Sequence, residues 1–268
     1  MKFNLQPNLG KEYLEHRVFG ELTEYADFYK SLSIHISGWI TQGTNSFLNL
    51  DTWVYSSIQG TLESIKDILL KGRINDSYAL LRKYFDSTII NVYSNLYLSD
   101  NFSIDNFIVH HINNWSKGKE KLPEYRVMSK YIRESPKLMP ITNLLNQDNT
   151  YKDIRNRCND HTHYNYYHNL LLNDNFVYLQ KKRQMALDNF SKDLEDIFIQ
   201  HLSYLFYLNQ HYMMSTDYTD SLEMGMTPDE DSQYFVAPFI QNIFDKVIKA
   251  KRTDIAIEIK NKTTMKLE

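Results

Sequence analysis

An all-α protein, a multi-helix bundle, is what this sequence predicts, on three observations. Apolar residues recur at helical spacing over long stretches, as in Trp53, Ile58, Leu62, Ile65, Ile68 and Leu69. Tight-turn residues are scarce, with 8 Gly and 6 Pro in 268 residues, which disfavours sandwiches and barrels. Only Ile255, Ile257 and Ile259 alternate as a strand would. Nothing else supplies a sheet partner, so Asp254 to Lys262 reads as a terminal helix.

Residues 1–50 read as an N-terminal helical extension. One helix runs from about Gly20 to Lys30 through Leu22, Tyr25, Phe28 and Tyr29, and Ile34-His35-Ile36 with Trp39-Ile40 forms a second short element before Gly38, Gly43, Thr44 and Asn45 break the pattern. A helical core follows over 51–214. The spacing predicts a helix from Thr52 to Lys71 with Gly72 as its stop, then one capped by Asn75-Asp76-Ser77 and running to about Leu98. Its buried stripe is Tyr78, Leu81, Phe85, Ile89, Val92, Tyr93 and Leu96. Shorter helices fit Ile104 to Trp115, Glu124 to Glu134 and Met139 to Leu145, with Pro123, Pro136 and Pro140 at boundaries or first turns. A turn over Leu170 to Asn175 precedes a long helix from Arg183 to Met214. Residues 215–233 carry six carboxylates and no Lys or Arg, and read as an acidic linker. The segment 234–268 is a C-terminal helical segment packing on the core, with a first helix from about Ala237 to Lys249.

Composition narrows the function classes. One cysteine leaves no disulfide framework or Cys-rich zinc site, and the opening residues Met1 to Asn8 lack an apolar run, so a cytoplasmic setting is expected. The most apolar long segment, Ile197 to Met214, is interrupted by Gln200, His201, Asn209, Gln210 and His211, against a membrane span. A formal charge of −3 gives no global attraction to nucleic acid, so any such binding uses a local patch. Gly-rich phosphate loops, nucleophile elbows and zincin motifs are missing, and no cofactor is implied.

Chemistry concentrates in Ile154 to His168, where Arg, Asn, Asp, His and Tyr crowd together. On a helix, Tyr151, Ile154 and Cys158 share an apolar stripe, flanked by Arg155 on one side and His161 on the other, while Asn156, Asp160 and His163 turn away. Arg155 and His161 stand roughly 120° apart and bracket a groove. Arg82 and Asp86, spaced i,i+4, read either as a surface ion pair or as a carboxylate, Asp86, that reaches across to orient Arg155.

Arg155-Asn156, four residues, then His161 resembles the Arg, polar residue, four-to-six spacer, His signature of the HEPN superfamily (higher eukaryotes and prokaryotes nucleotide-binding). The resemblance covers about Asp51 to Met214, and Arg157 to His163 also satisfies the spacing. It implies a HEPN-like helical domain with appended N- and C-terminal helices, acting as a metal-independent endoribonuclease, in toxin or phage-defence roles, with the motif at a homodimer cleft. RNA supplies its own nucleophile, so the protein needs a proton-transfer group and a charge clamp. Mapped by resemblance, His161 is the acid/base, Arg155 the phosphate clamp and Asn156 a positioning group. Asp86, Arg157, His163, Tyr164 and His168 would support the site or line the RNA path. Two alternatives stay open: a helical interaction or nucleotide-sensing module, with a possible regulatory protein partner, whose Arg155 and His161 are structural; and a metal site built from Asp160, His161, His163 and His168, which requires that segment to unwind.

Overall fold

A computed structural model describes residues 9–37, 44, 49–173 and 182–268. In chain order the helices are α1 (Lys11–Leu14), α2 (Val18–Ser37), α3 (Leu50–Leu70), α4 (Ile74–Asn101), α5 (His110–Ser116), α6 (Tyr125–Glu134), α7 (Met139–Leu145), α8 (Thr150–Thr162), α9 (Tyr167–Leu171), α10 (Arg183–Leu208), α11 (Asp217–Glu223), α12 (Pro238–Ile243) and α13 (Thr253–Lys262). Among the described residues an isolated antiparallel bridge, Met214 to Val236, is the sole β feature, so the chain is all-α. No helix among them is long and apolar enough to cross a membrane. The expected element at Trp39-Ile40 and the breaks at Gly38, Gly43 and Asn45 lie outside the described residues.

The chain divides into two compact units that are interleaved in sequence. The first comprises residues up to Lys30, Val54–Thr88 and Asn149–Phe198. Its core is aromatic: Tyr25 stacks on Phe198 with ring centroids 3.9 Å apart, Phe28 and Tyr29 meet the same ring edge-on, and the Tyr29 and Tyr84 hydroxyls share a 3.1 Å hydrogen bond. Such rings each bury a large apolar area while the hydroxyl pair satisfies the polar ends. Gly72, at φ 74°, ends α3 as its spacing predicts, and its carbonyl accepts from Arg183 Nη2 at 2.6 Å, which ties the start of α10 to the α3–α4 turn.

The second unit comprises Ser31–Trp53, Ile89–Asp148 and Ile199–Glu268. A buried polar network holds its middle. Asp51 accepts from Asn91 Nδ2 at 2.7 Å, Asn95 Nδ2 at 2.9 Å and the Tyr212 hydroxyl at 2.7 Å. Asn91 Oδ1 in turn accepts from His201 Nε2 at 2.9 Å, and Asn95 Oδ1 from Asn209 Nδ2 at 2.8 Å. Burial pushes the Asp51 carboxyl up, opposed by its three donors, and pushes the His201 imidazole down to about 3. Nearby, α13 packs on α7, with Arg252 Nη2 donating to Leu144 O at 2.7 Å.

Several elements depart from their sequence expectation. Trp53, expected in the α3 stripe, is 62% exposed; the buried face runs through Asp51, Tyr55, Ile58, Leu62, Ile65 and Leu69 instead. The helix expected from Ile104 begins only at His110. Asn106 Nδ2 donates to Asn101 O at 2.6 Å and Ser103 Oγ accepts from the Asn106 N–H, and these local bonds replace a helical turn. The long helix stops at Leu208, where Asn209 donates to Asn95, and a 3₁₀ turn over Gln210–Met213 continues the chain. Residues 215–233 are not a simple tether: Ser215 N–H donates to Phe235 O at 2.7 Å and Ala237 N–H to Met213 O at 2.8 Å, so the acidic segment is a loop closed at its base and contains α11. The helix expected over Ala237 to Lys249 starts at Pro238 and widens into a π-helical turn over Phe244–Lys249.

Candidate functional site

The site lies in the first unit and is built on α8. Its apolar stripe is as the periodicity predicts, with Tyr151, Ile154 and Cys158 buried, and His161 continues it at 7% exposure. Burial pushes the Cys158 thiol up to about 12, which leaves it a packing residue rather than a nucleophile.

The two arginines of α8 go to different carboxylates. Arg155 Nη1 donates to Asp86 Oδ1 at 2.6 Å, and Arg82 Nε donates to both oxygens of Asp86 at 3.1 and 3.0 Å, so the contact expected between Asp86 and Arg155 is present and Arg82 shares it. Arg82 Nη1 also donates to Asn159. Arg157 makes a two-pronged pair with Asp193, Nε to Oδ2 at 2.7 Å and Nη2 to Oδ1 at 2.9 Å. Asp193 is buried and also accepts from the Tyr78 hydroxyl at 3.4 Å. Burial raises its carboxyl, which the Arg157 fork opposes, and the same bond raises the guanidinium.

His161 lies flat on Tyr78, ring centroids 3.9 Å apart at 6°. Its Nδ1 is 2.8 Å from Asn75 Oδ1, an atom that can only accept, so Nδ1 carries the hydrogen of the neutral ring. Nε2 is left with its lone pair. Burial pushes this imidazole down to about 4; neighbouring His168 and Arg157 act in the same direction, and Asp160 opposes them.

The chain then reverses sharply. Tyr164, a non-glycine residue at φ 51°, occupies the left-handed region, and Asn165 fixes the turn by donating from its backbone N–H to Asp160 O at 3.0 Å and from Nδ2 to Asp160 Oδ1 at 2.8 Å. The reversal leads into α9, where His168 stacks on Tyr166 at 5.5 Å and 20°. Beyond α9, Asn173 Nδ2 donates to Asp76 Oδ1 at 2.6 Å and the Asp76 backbone N–H donates to Asn173 Oδ1 at 3.2 Å, which pins this segment beside Asn75 at the start of α4.

Together these elements enclose a cavity of about 380 Å³. Tyr78 and His161 line it with Arg157, Asp160, His168, Tyr166 and Lys182, beside Asn169, Asn189 and an apolar wall of Leu172, Met185 and Ala186. Of the residues singled out from the sequence, the structure brings His161, Arg157 and His168 to this cavity. Arg155 is not among the lining residues, and Asp160, expected to turn away, is. Asn156, His163 and Tyr164 are exposed. Asn75, Tyr78, Lys182 and Asp193 were missed as site residues; Asn75, expected as a helix cap, lies inside α4 and turns its side-chain oxygen to His161, and Tyr78 is buried as its stripe predicts. Among the described residues, no group of three or more His, Cys, Asp or Glu is placed to hold a metal ion. Chemically, the cavity offers a lone pair at His161 Nε2, cations for an anion, and an exposed aromatic face at Tyr166.

The depressed His161 imidazole makes stability depend on acid. Unfolded, the ring takes a proton near 6.5; folded, only near 4. Between these values the unfolded chain holds more protons, so the contribution is nil above pH 7 and grows more unfavourable as pH falls. At about 1.4 kcal/mol per unit, up to about 3 kcal/mol is expected to be lost between pH 7 and 4, with His201 adding in the same direction. Urea midpoints that stay flat over that range would contradict the burial of a neutral ring.

The class that these elements define is an all-α, multi-helix protein with a cavity beside α8. Compared with models of known protein families, with curated proteins and with solved structures, the chain matches none.

Proposed function

We propose that the protein is a metal-independent endoribonuclease of HEPN type, acting at the cavity beside α8. One observation carries the reading: two histidines and two cationic side chains, Arg157 and Lys182, face a single cavity of about 380 Å³, within the range of small-ligand sites, with Tyr166 beside them as a stacking face for a base. His161 Nε2 takes the proton of the 2′-hydroxyl. The 2′-oxygen attacks phosphorus in line, and Arg157 Nη1 and Lys182 offset the charge that grows on the phosphate oxygens. Asn75 holds the ring in the tautomer that leaves Nε2 unprotonated. In this reading the clamp is Arg157, which lines the cavity, rather than Arg155, which does not. The resemblance further implies a homodimer and a toxin or phage-defence role.

Pure protein incubated with mixed RNA in EDTA tests this. Cleavage leaving 2′,3′-cyclic phosphate and 5′-hydroxyl ends is expected; metal-dependent cleavage with 5′-phosphate products, or none, overturns it. A second reading, a non-catalytic nucleotide-sensing module, is favoured by a different fact: Arg155 and Arg157 are both already paired with carboxylates. Its mark is saturable nucleotide binding with no turnover.

A further inference from the structure

The proposed reaction needs a proton at its other end, and the cavity supplies a second imidazole for it. We infer that His168 is the general acid that protonates the leaving 5′-oxygen, so that the site works with two histidines in opposite roles. The inference rests on the ribonuclease reading and assigns a residue that the Arg-Asn-x4-His resemblance leaves without a chemical task.

Three observations carry it. His161 and His168 line one cavity. Concerted proton removal and delivery requires a base and an acid at opposite ends of one reacting group, which two imidazoles lining one cavity can supply. Their environments differ as the roles demand: His161 is buried, flat against Tyr78 and hydrogen-bonded through Nδ1, whereas His168 is solvent-exposed on α9 and stacked on Tyr166. An exposed ring is readily recharged with a proton from water between turnovers. Finally, a strained turn brings His168 to the cavity. A left-handed tyrosine is disfavoured relative to an ordinary conformation, and Asn165 bonds twice to Asp160 to hold that turn closed.

The step balances. The 2′-hydroxyl gives its proton to His161 Nε2 and its oxygen forms a bond to phosphorus; the bond from phosphorus to the 5′-oxygen breaks, and that oxygen takes the proton from the His168 imidazolium. His161 ends protonated, His168 neutral, and exchange with water restores both.

Leaving-group dependence separates this role from mere support. A uridine 3′-(4-nitrophenyl phosphate) expels nitrophenolate, which needs no proton, whereas the dinucleotide uridylyl-adenosine expels a 5′-alkoxide, which does. With the full-length chain in EDTA, His168→Ala and His168→Gln are expected to lower dinucleotide cleavage by about a hundredfold or more while keeping nitrophenyl ester cleavage within a few-fold of the parent. His161→Ala loses both. Equal losses on the two substrates, or none on the dinucleotide, would overturn the assignment of His168 while leaving the ribonuclease reading in place. A parent that cleaves neither substrate overturns both. Because His168 is exposed, an unchanged melting temperature is expected in its variants, which removes misfolding as an explanation.

Discussion

His161→Ala is expected to lower RNA cleavage by about a hundredfold or more, since a positioned acid–base group typically contributes 10²–10⁴. The same change opens a gap over Tyr78 and takes the partner from Asn75, so some loss of stability accompanies it. Rate and stability are separated by comparing two arginine variants. Arg157→Lys replaces a fork that lines the cavity with a point charge that cannot grip Asp193 and a phosphate together, and a large rate loss follows. Arg155→Lys changes an ion pair with Asp86 that does not line the cavity, and the rate stays within a few-fold of the parent. Single-turnover cleavage with protein in excess reads all three. If Arg155→Lys proves the more damaging, the motif register given by the resemblance is right and the cavity assignment is wrong.

Asp51→Leu is expected to cost about 4 kcal/mol, read as a lower urea midpoint at unchanged slope. Asp51 is the shared acceptor for Asn91, Asn95 and Tyr212, and bonds to a charged group contribute about 1.5–3 kcal/mol each, against which a buried leucine returns only part. Asp51→Asn should cost roughly half as much, because its carbonyl still accepts from both asparagines and the Tyr212 hydroxyl can turn to accept from the new amide. A leucine variant as stable as the parent would mean that the network is not part of what holds the second unit together.

The helical class and most helix positions were legible because apolar periodicity is a local property. Tyr78, Leu81, Phe85, Ile89, Val92, Tyr93 and Leu96 are buried where the 3.6-residue period puts them. What the period could not show is which polar residues also go inside. Asp51, one residue before the helix expected from Thr52, is 4% exposed, and nothing local announces this because its partners stand 40, 44 and 161 residues away. The candidate site divides the same way. His161 beside the α8 stripe is a helical-wheel inference, and the stripe residues do pack inward. That Arg157 rather than Arg155 reaches the cavity depends on Asp193, 36 residues further on, which no local pattern announces. Asp160 was misplaced because a straight-helix projection takes no account of the turn at Tyr164, where Asn165 folds back onto it.

The acidic loop between Met214 and Val236 is closed at its base by backbone bonds on both sides of that bridge. Its far side, around Gly225 and Met226, is exposed. A peptide bond cut there leaves two new chain ends on strands of backbone that remain fastened to each other, with Lys266 N–H further securing the returning strand at Tyr234 O, 2.8 Å away. A nicked molecule should therefore migrate as two fragments in denaturing gels yet elute as one species from a sizing column. The same spot will accept an inserted epitope or a fluorophore-bearing peptide without disturbing either flank.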